Sequence, residues 1–253
     1  MEELTVTGIV LSSMPYKDKD KLIHIFTVEL GVVTGILKGV ASANSKLKFA
    51  GQPFCFGSFD LVKSSDFYVV KGVDLIDTFF DLTSDYDNFR LCNFMLEVCK
   101  IIMKPNIISE SLFLTLLKTL QNVVYTEDIN TKLCVVKFMT TVLEIIGYKL
   151  NFDTCDNCGM KFVGDIKIDI YSGTFRCSNC SGGEIISKQD FVTLKIIQNT
   201  PLDKLKTIKV STDCLNRIFD LCVLDLSNRL NCKFKSLKEW VSNRITYEKT
   251  VKQ

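Results

Sequence analysis

Histidine is nearly absent from this 253-residue chain, which has one, at position 24. A Ser–His–Asp or Cys–His arrangement would have to be built around that single strand position, which speaks against nucleophilic hydrolase chemistry. His24 reads instead as a half-buried strand residue. No G-x-x-x-x-G-K-[ST] occurs, since the nearest stretch, "GVVTGILKG", lacks the spacing and the hydroxyl after lysine. G-x-G-x-x-G is missing too, so neither common phosphate cradle is present. No window approaches the ~18 uninterrupted apolar residues of a membrane helix. The opening "MEELTVTGIV" has acidic residues where a secretory signal carries basic ones, and it lacks a small-residue cleavage site, which predicts a cytoplasmic protein. A net charge of +2 excludes a polycation, so nucleic-acid binding cannot be read from the total.

The composition, 47% apolar and 24% charged, is that of a globular chain long enough for two ordinary domains or one large fold with an insertion. Charge is segregated along it. Residues 36–52 hold Lys38, Lys46 and Lys48 and no acid, whereas "GVDLIDTFFDLTSDYDNF" holds five aspartates and no base. From Arg229 onward seven basic residues face two acidic ones. The aspartate cluster straddles a domain junction and a helix start, where carboxylates complement a helix dipole, and that reading is preferred to a Mg²⁺ site.

The first 75 residues read as five short strands: "LTVTGIVLSS", "KLIHIFT", "GVVTGILKG", "PFCFGSFDLV" and "DFYVVKGVDL". Each is β-branched or aromatic, and turn compositions such as "VELG" and "KSSD" separate several of them. Five such strands predict a small closed barrel, either an OB-fold or an SH3-like barrel. Phe54, Phe56, Phe59 and Tyr68 could stack bases, but their alternation suggests that most are core residues. Beyond Ser84 the period becomes helical: "SDYDNFRLCNFMLEVCKIIM" places Phe89, Cys92, Leu96, Cys99 and Met103 on one stripe, with Ser84 as N-cap and Pro105 as terminator. Ser109 and Asn130 start two more helices, the second closing at Gly147, and the three predict a bundle. The pattern resumes in "SKQDFVTLKIIQN", "STDCLNRIFDLCVLDLSNRL" and "SLKEWVSNRI".

Eleven cysteines, an odd number scattered through apolar stretches, look like reduced core thiols rather than a disulfide framework. Four differ. Cys155, Cys158, Cys177 and Cys180 form C-x2-C, eighteen residues, C-x2-C, the spacing of a zinc site. Each pair lets two thiolates reach one ion from a tight turn, and the intervening "KFVGDIKIDIYSGTF" is long enough for a hairpin that returns the second pair. Four thiolates close all four positions of Zn²⁺, which makes the site structural. Redox CxxC pairs or an iron–sulfur cluster are the alternatives, although a thioredoxin-like βαβ context is missing. The lysines of the polar loop "KGVASANSKLKFAG", with Lys233 and Lys235 near the end, are candidates for phosphate contact. Trp240 reads as a packing residue.

Taken together, three segments resemble the RecO family of recombination mediators. "IVLSSMPYKDKDKLIHIFTVELGVVTGILKGV" is similar to the family's opening, "FMTTVLEIIGYKLNFDTCDNCG" with "GTFRCSNC" to its helix-to-cysteine passage, and "LNCKFKSLKEW" to its closing basic segment. The loop after Gly39 departs from the family's arginine-rich form, and Lys149 stands where relatives often have proline. The resemblance implies an α+β multidomain protein: an N-terminal OB-fold β-barrel (1–80), then an α-helical domain (81–150 and 185–253) with an embedded four-cysteine zinc module (151–184). The missing chemistry residues favour a binding protein, with no enzymatic activity. The resemblance implies a cytoplasmic, nucleoid-associated bacterial protein that binds single- and double-stranded DNA, anneals complementary strands, and works with RecR to load RecA onto DNA coated by single-strand-binding protein. Some relatives lack the cysteines, so the resemblance also implies that the metal is scaffold. The rival reading is a zinc-ribbon RNA-binding or transcription accessory protein.

Overall fold

The computed structural model describes residues 3–40 and 47–237. Lys46, Trp240 and most of the expected "SLKEWVSNRI" helix lie outside the described residues. Two compact units divide the chain, Met1–Phe89 with Asn93–Leu117, and Arg90–Cys92 with Lys118–Gln253.

In the first unit five strands, β1 (Glu3–Tyr16), β2 (Asp20–Thr27), β3 (Gly31–Leu37), β4 (Phe56–Ser64) and β5 (Phe67–Asp77), close into a barrel of order β1-β2-β3-β5-β4. β3 and β5 run parallel at the closure, and β1, irregular between Val10 and Ser12, pairs with both β2 and β4. That order is OB-like, and it resolves the choice left open by strand count. Alternation explains the register. Ile23 and Ile25 point into a core shared with Val6, Val10, Val33, Phe59, Leu61 and Val70. A one-residue slip would expel that whole set, each member worth about 1.5–3 kcal/mol of burial. Phe26, on the opposite face of β2, meets Phe113 edge-on at 5.3 Å between ring centroids.

Phe56 and Phe59 are buried as expected and Tyr68 packs partly buried against the core, but Phe54 precedes β4. Its backbone is left-handed, and its ring meets Phe89 at 5.6 Å. α1 (Tyr86–Ile102) is capped by Asp85, whose carboxylate accepts from the Asn88 amide at 2.8 Å. Ser84 is therefore not the cap. It closes a short 3-10 turn, Phe80–Ser84, with its hydroxyl donating to the Asp81 carbonyl. The buried face of α1 is also wider than one stripe, because Leu91, Phe94, Met95 and Val98 are buried too.

α2 (Glu110–Tyr125) and α3 (Thr131–Ile145) follow, capped by Ser109 and Asn130. α3 ends in a Schellman turn: Gly147 has φ +88°, the Gly147 amide donates to Glu144 and the Tyr148 amide to Leu143. The helices expected as one bundle are divided between the two units. α3 packs instead with α4 (Lys188–Asn199) and α5 (Thr212–Leu230) in the second unit, while most of α1 and the first half of α2 group with the barrel. Propensity and period locate helices but carry no information on which faces meet. Among the described residues, no helix is long and apolar enough to cross a membrane.

Candidate metal centre and basic segments

Between α3 and α4 the chain folds a small three-stranded sheet of order β7-β6-β8, from β6 (Ile166–Asp169), β7 (Thr174–Cys177) and β8 (Glu184–Ile185). The β6–β7 hairpin is the one the spacing predicts; β8 is an addition too short to leave a periodic signal. The first thiol pair sits on a turn closed by the Gly159 amide bonding the Cys155 carbonyl at 2.8 Å, and the second on a turn closed by the Cys180 amide bonding Cys177 at 3.2 Å. Asp156 fastens the first turn to the hairpin by accepting the Phe175 amide at 2.7 Å.

The hairpin thus returns Cys177 and Cys180 to Cys155 and Cys158, and all four sulfurs lie within 4.8 Å of one another. Sγ–Sγ distances are 3.7 Å for Cys155–Cys180, 3.8 Å for Cys158–Cys177 and 3.6 Å for Cys177–Cys180. Zn–S bonds of about 2.3 Å in a tetrahedron require a sulfur–sulfur edge of about 3.8 Å, so the cage has the size of a tetrathiolate ion site. Sulfurs joined as disulfides would lie at about 2.05 Å instead. Cys155 and Cys177 are buried and Cys158 is exposed. Burial opposes ionisation of Cys155, yet the amides of Cys177, Cys158 and Asn157 aim at its sulfur and hold its pKa below the ordinary thiol value. Asn157 Nδ2 donates to Cys180 Sγ at 3.3 Å.

The module is seated by aromatic and polar contacts within its unit. Phe152, Phe162 and Phe175 surround Phe191 of α4 at centroid distances of 5.2, 5.4 and 5.0 Å. At the hairpin turn Asn228 Nδ2 donates to the Ile170 carbonyl at 2.9 Å, and Arg229, paired with Asp225 at 2.8 Å, donates to the Ser172 carbonyl. Gly173, with φ +60°, lies directly on the Asp225 carboxylate. Asn157, Asp156, Lys167 and Arg176 are the supporting residues that reading the sequence missed. They become visible only with the β6–β7 register, which brings Lys167 opposite Arg176.

Of the lysines singled out, Lys38, Lys48, Lys233 and Lys235 are exposed. Lys38 and Lys48 flank the β3–β4 connection, whose Val40 and Ala50 are pinned in the barrel core. The Gly39 amide is tied to Asp20 at 2.8 Å and Lys21 Nζ to the Gly51 carbonyl at 3.5 Å. Lys233 and Lys235, in the second unit, flank buried Phe234. His24 is half-buried as expected: its Nδ1 meets Ser12 Oγ at 3.1 Å, and Lys100 Nζ donates to the same hydroxyl at 2.8 Å. Burial first, and the Lys100 charge second, lower its pKa. In the aspartate cluster, Asp85 caps α1, Asp87 lies in its first turn and Asp77 accepts the Phe79 amide at 2.9 Å. The four cysteines are the metal-capable cluster found among the described residues.

The described chain is an α+β protein in which an OB-like barrel is followed by a helical unit carrying a four-cysteine, metal-capable module. The family model described as "Recombination protein O N terminal" matches residues 1–79, and "Recombination protein O C terminal" matches residues 83–238. The chain belongs to the RecO family of DNA repair proteins. It is 28% identical over 238 residues to the DNA repair protein RecO of Clostridium novyi, covering 91% of each chain. The RecO of Clostridium perfringens is 26% identical over 91% of this chain and 94% of its own. That of Clostridium acetobutylicum is 28% identical over 85% and 87%.

Proposed function

We propose that the chain is a cytoplasmic, DNA-binding recombination mediator that acts by binding rather than by chemical turnover. In this reading it anneals complementary strands and, with RecR, helps RecA load onto DNA coated by single-strand-binding protein. The barrel is the observation that carries the reading. It is closed, and the connection between β3 and β4 is anchored at both ends while Lys38 and Lys48 stand exposed there. Lysines so placed meet the sugar–phosphate backbone without reading bases, the contact an annealing protein needs because either strand of any sequence must be held. Lys46, in the same loop, and the exposed Lys233 and Lys235 extend the set. The domain division at about residues 80, 150 and 184 belongs to the same proposal.

The ion is zinc, bound by Cys155, Cys158, Cys177 and Cys180 as scaffold. The cage size and the all-sulfur donor set support this, and so does the lack of room for a fifth ligand once four thiolates close a tetrahedron. Fluorescence anisotropy with a labelled single strand tests the binding reading. Lys38→Glu combined with Lys46→Glu weakens binding and slows annealing; unaltered affinity at low salt would remove the barrel loop from it.

A further inference from the structure

Lys167 and Arg176 are register partners on adjacent strands, β6 and β7. Like charges placed opposite each other destabilise a sheet, so the pairing calls for something electron-rich that both can face. They share one such object, the turn that carries the second thiol pair. Lys167 Nζ donates to the carbonyls of Ser178 and Cys180, both at 3.0 Å. Arg176 donates to the Ser181 carbonyl at 2.9 Å, and its other terminal nitrogen pairs with Asp169 at 2.7 Å. The charge of Arg176 is thus offset by a carboxylate. That of Lys167 is not: among the described residues, the ion pairs found do not include it.

Four thiolates around a divalent ion carry a net charge of −2. Cys155 and Cys177, at 1% and 5% exposure, are withdrawn from water while Cys158 is exposed and Cys180 half-exposed, so the part of that surplus on the buried pair is poorly solvated. A cation held close by is the ordinary remedy, and outer partners of this kind tune metal affinity as well as ligand geometry. We propose that Lys167 is the counter-cation of the tetrathiolate centre: it fixes the Cys177–Cys180 turn through two carbonyls and offsets part of the negative charge there. It is a positioning residue, acting on the ion through that turn, and Arg176 and Asn157 share the bracing but not the uncompensated charge. This rests on the zinc reading above.

The test uses the full chain, its zinc affinity measured by chelator competition in parallel for the parent, Lys167→Met, Lys167→Gln and Lys167→Arg, with circular dichroism to verify folding. Lys167→Met binds zinc about tenfold more weakly and Lys167→Arg regains most of the loss. Lys167→Gln, uncharged but able to donate a hydrogen bond, behaves like Lys167→Met, and it carries the test should the methionine variant not fold. The gap between parent and neutral variants narrows from 0.1 to 1 M salt, as the screening length drops from about 10 to 3 Å. Neutral variants that match the parent, or a gap indifferent to salt, would overturn the counter-cation role. A parent that takes up no zinc would instead overturn the zinc reading itself.

Discussion

Asp190 and Arg217 meet in a two-pronged ion pair, Nε to Oδ2 at 2.7 Å and the second prong at 2.8 Å, which fastens the start of α4 to α5. Asp190 is 5% exposed, so its carboxylate depends on the partners it finds inside the fold. Burial alone would raise its pKa; hydrogen bonds from Arg217, Cys214 and Ser187 outweigh that and hold it below the ordinary carboxylate value.

A group whose pKa is depressed by folding contributes stability above its unfolded value and loses it as pH falls through the folded one. The second unit therefore weakens on acidification below the ordinary aspartate value of about 3.9. Arg217→Met leaves a buried carboxylate short of its partner and costs on the order of 2 kcal/mol at neutral pH, a figure held down by the exposure of the guanidinium. Chemical denaturation at several pH values measures both, and the variant shows the shallower acid dependence.

His24 titrates with the same sign but higher in pH. Because folding lowers its pKa, its contribution is fully present above the unfolded value of about 6.5 and lost as pH falls through the folded value. Barrel stability decreases on the acid side of neutrality. His24→Gln removes that dependence, read as the thermal midpoint against pH.

Gly173 tolerates no side chain. A Cβ there would stand 2.1 Å from Asp225 Oδ1, and the φ of +60° already disfavours other residues. Gly173→Ala costs about 2–4 kcal/mol, from backbone strain and overpacking together. Adding Asp225→Ala relieves the collision, so the two changes combine less than additively in a double-mutant cycle.

On the zinc proposal, Cys155→Ser takes zinc content from one per chain to none, and the thermal midpoint drops by several degrees or more. Apparent metal-binding free energies on the order of 10–16 kcal/mol in zinc-finger peptides show how much folding such a site supports. A strong chelator applied to the parent reproduces the shift. Metal analysis and calorimetry on one preparation verify it.

The barrel was legible because its strands alternate with period two and keep Ile23 and Ile25 on the face opposite His24. The cysteine cage was legible because two C-x2-C pairs across a hairpin-length spacer leave few other geometries. Helix starts were legible where a lone capping residue precedes the apolar period, as at Asn130. Two candidates stand side by side at Ser84 and Asp85, and there the sequence does not distinguish them; the 3-10 turn before α1 consumed the serine. Helix partners were not legible, since α3 finds α4 and α5 across the inserted module. Nor were Lys167 and Asp156, whose roles depend on a strand register that the residues alone leave unspecified.

Annealing of complementary oligonucleotides coated with single-strand-binding protein, followed at several salt concentrations with zinc determined on the same preparation, tests the central claim most directly. The zinc-loaded chain is expected to accelerate annealing, and the acceleration to decline with rising salt, as phosphate contacts demand. A zinc-loaded, folded chain that neither binds the strands at low salt nor speeds their pairing would contradict it.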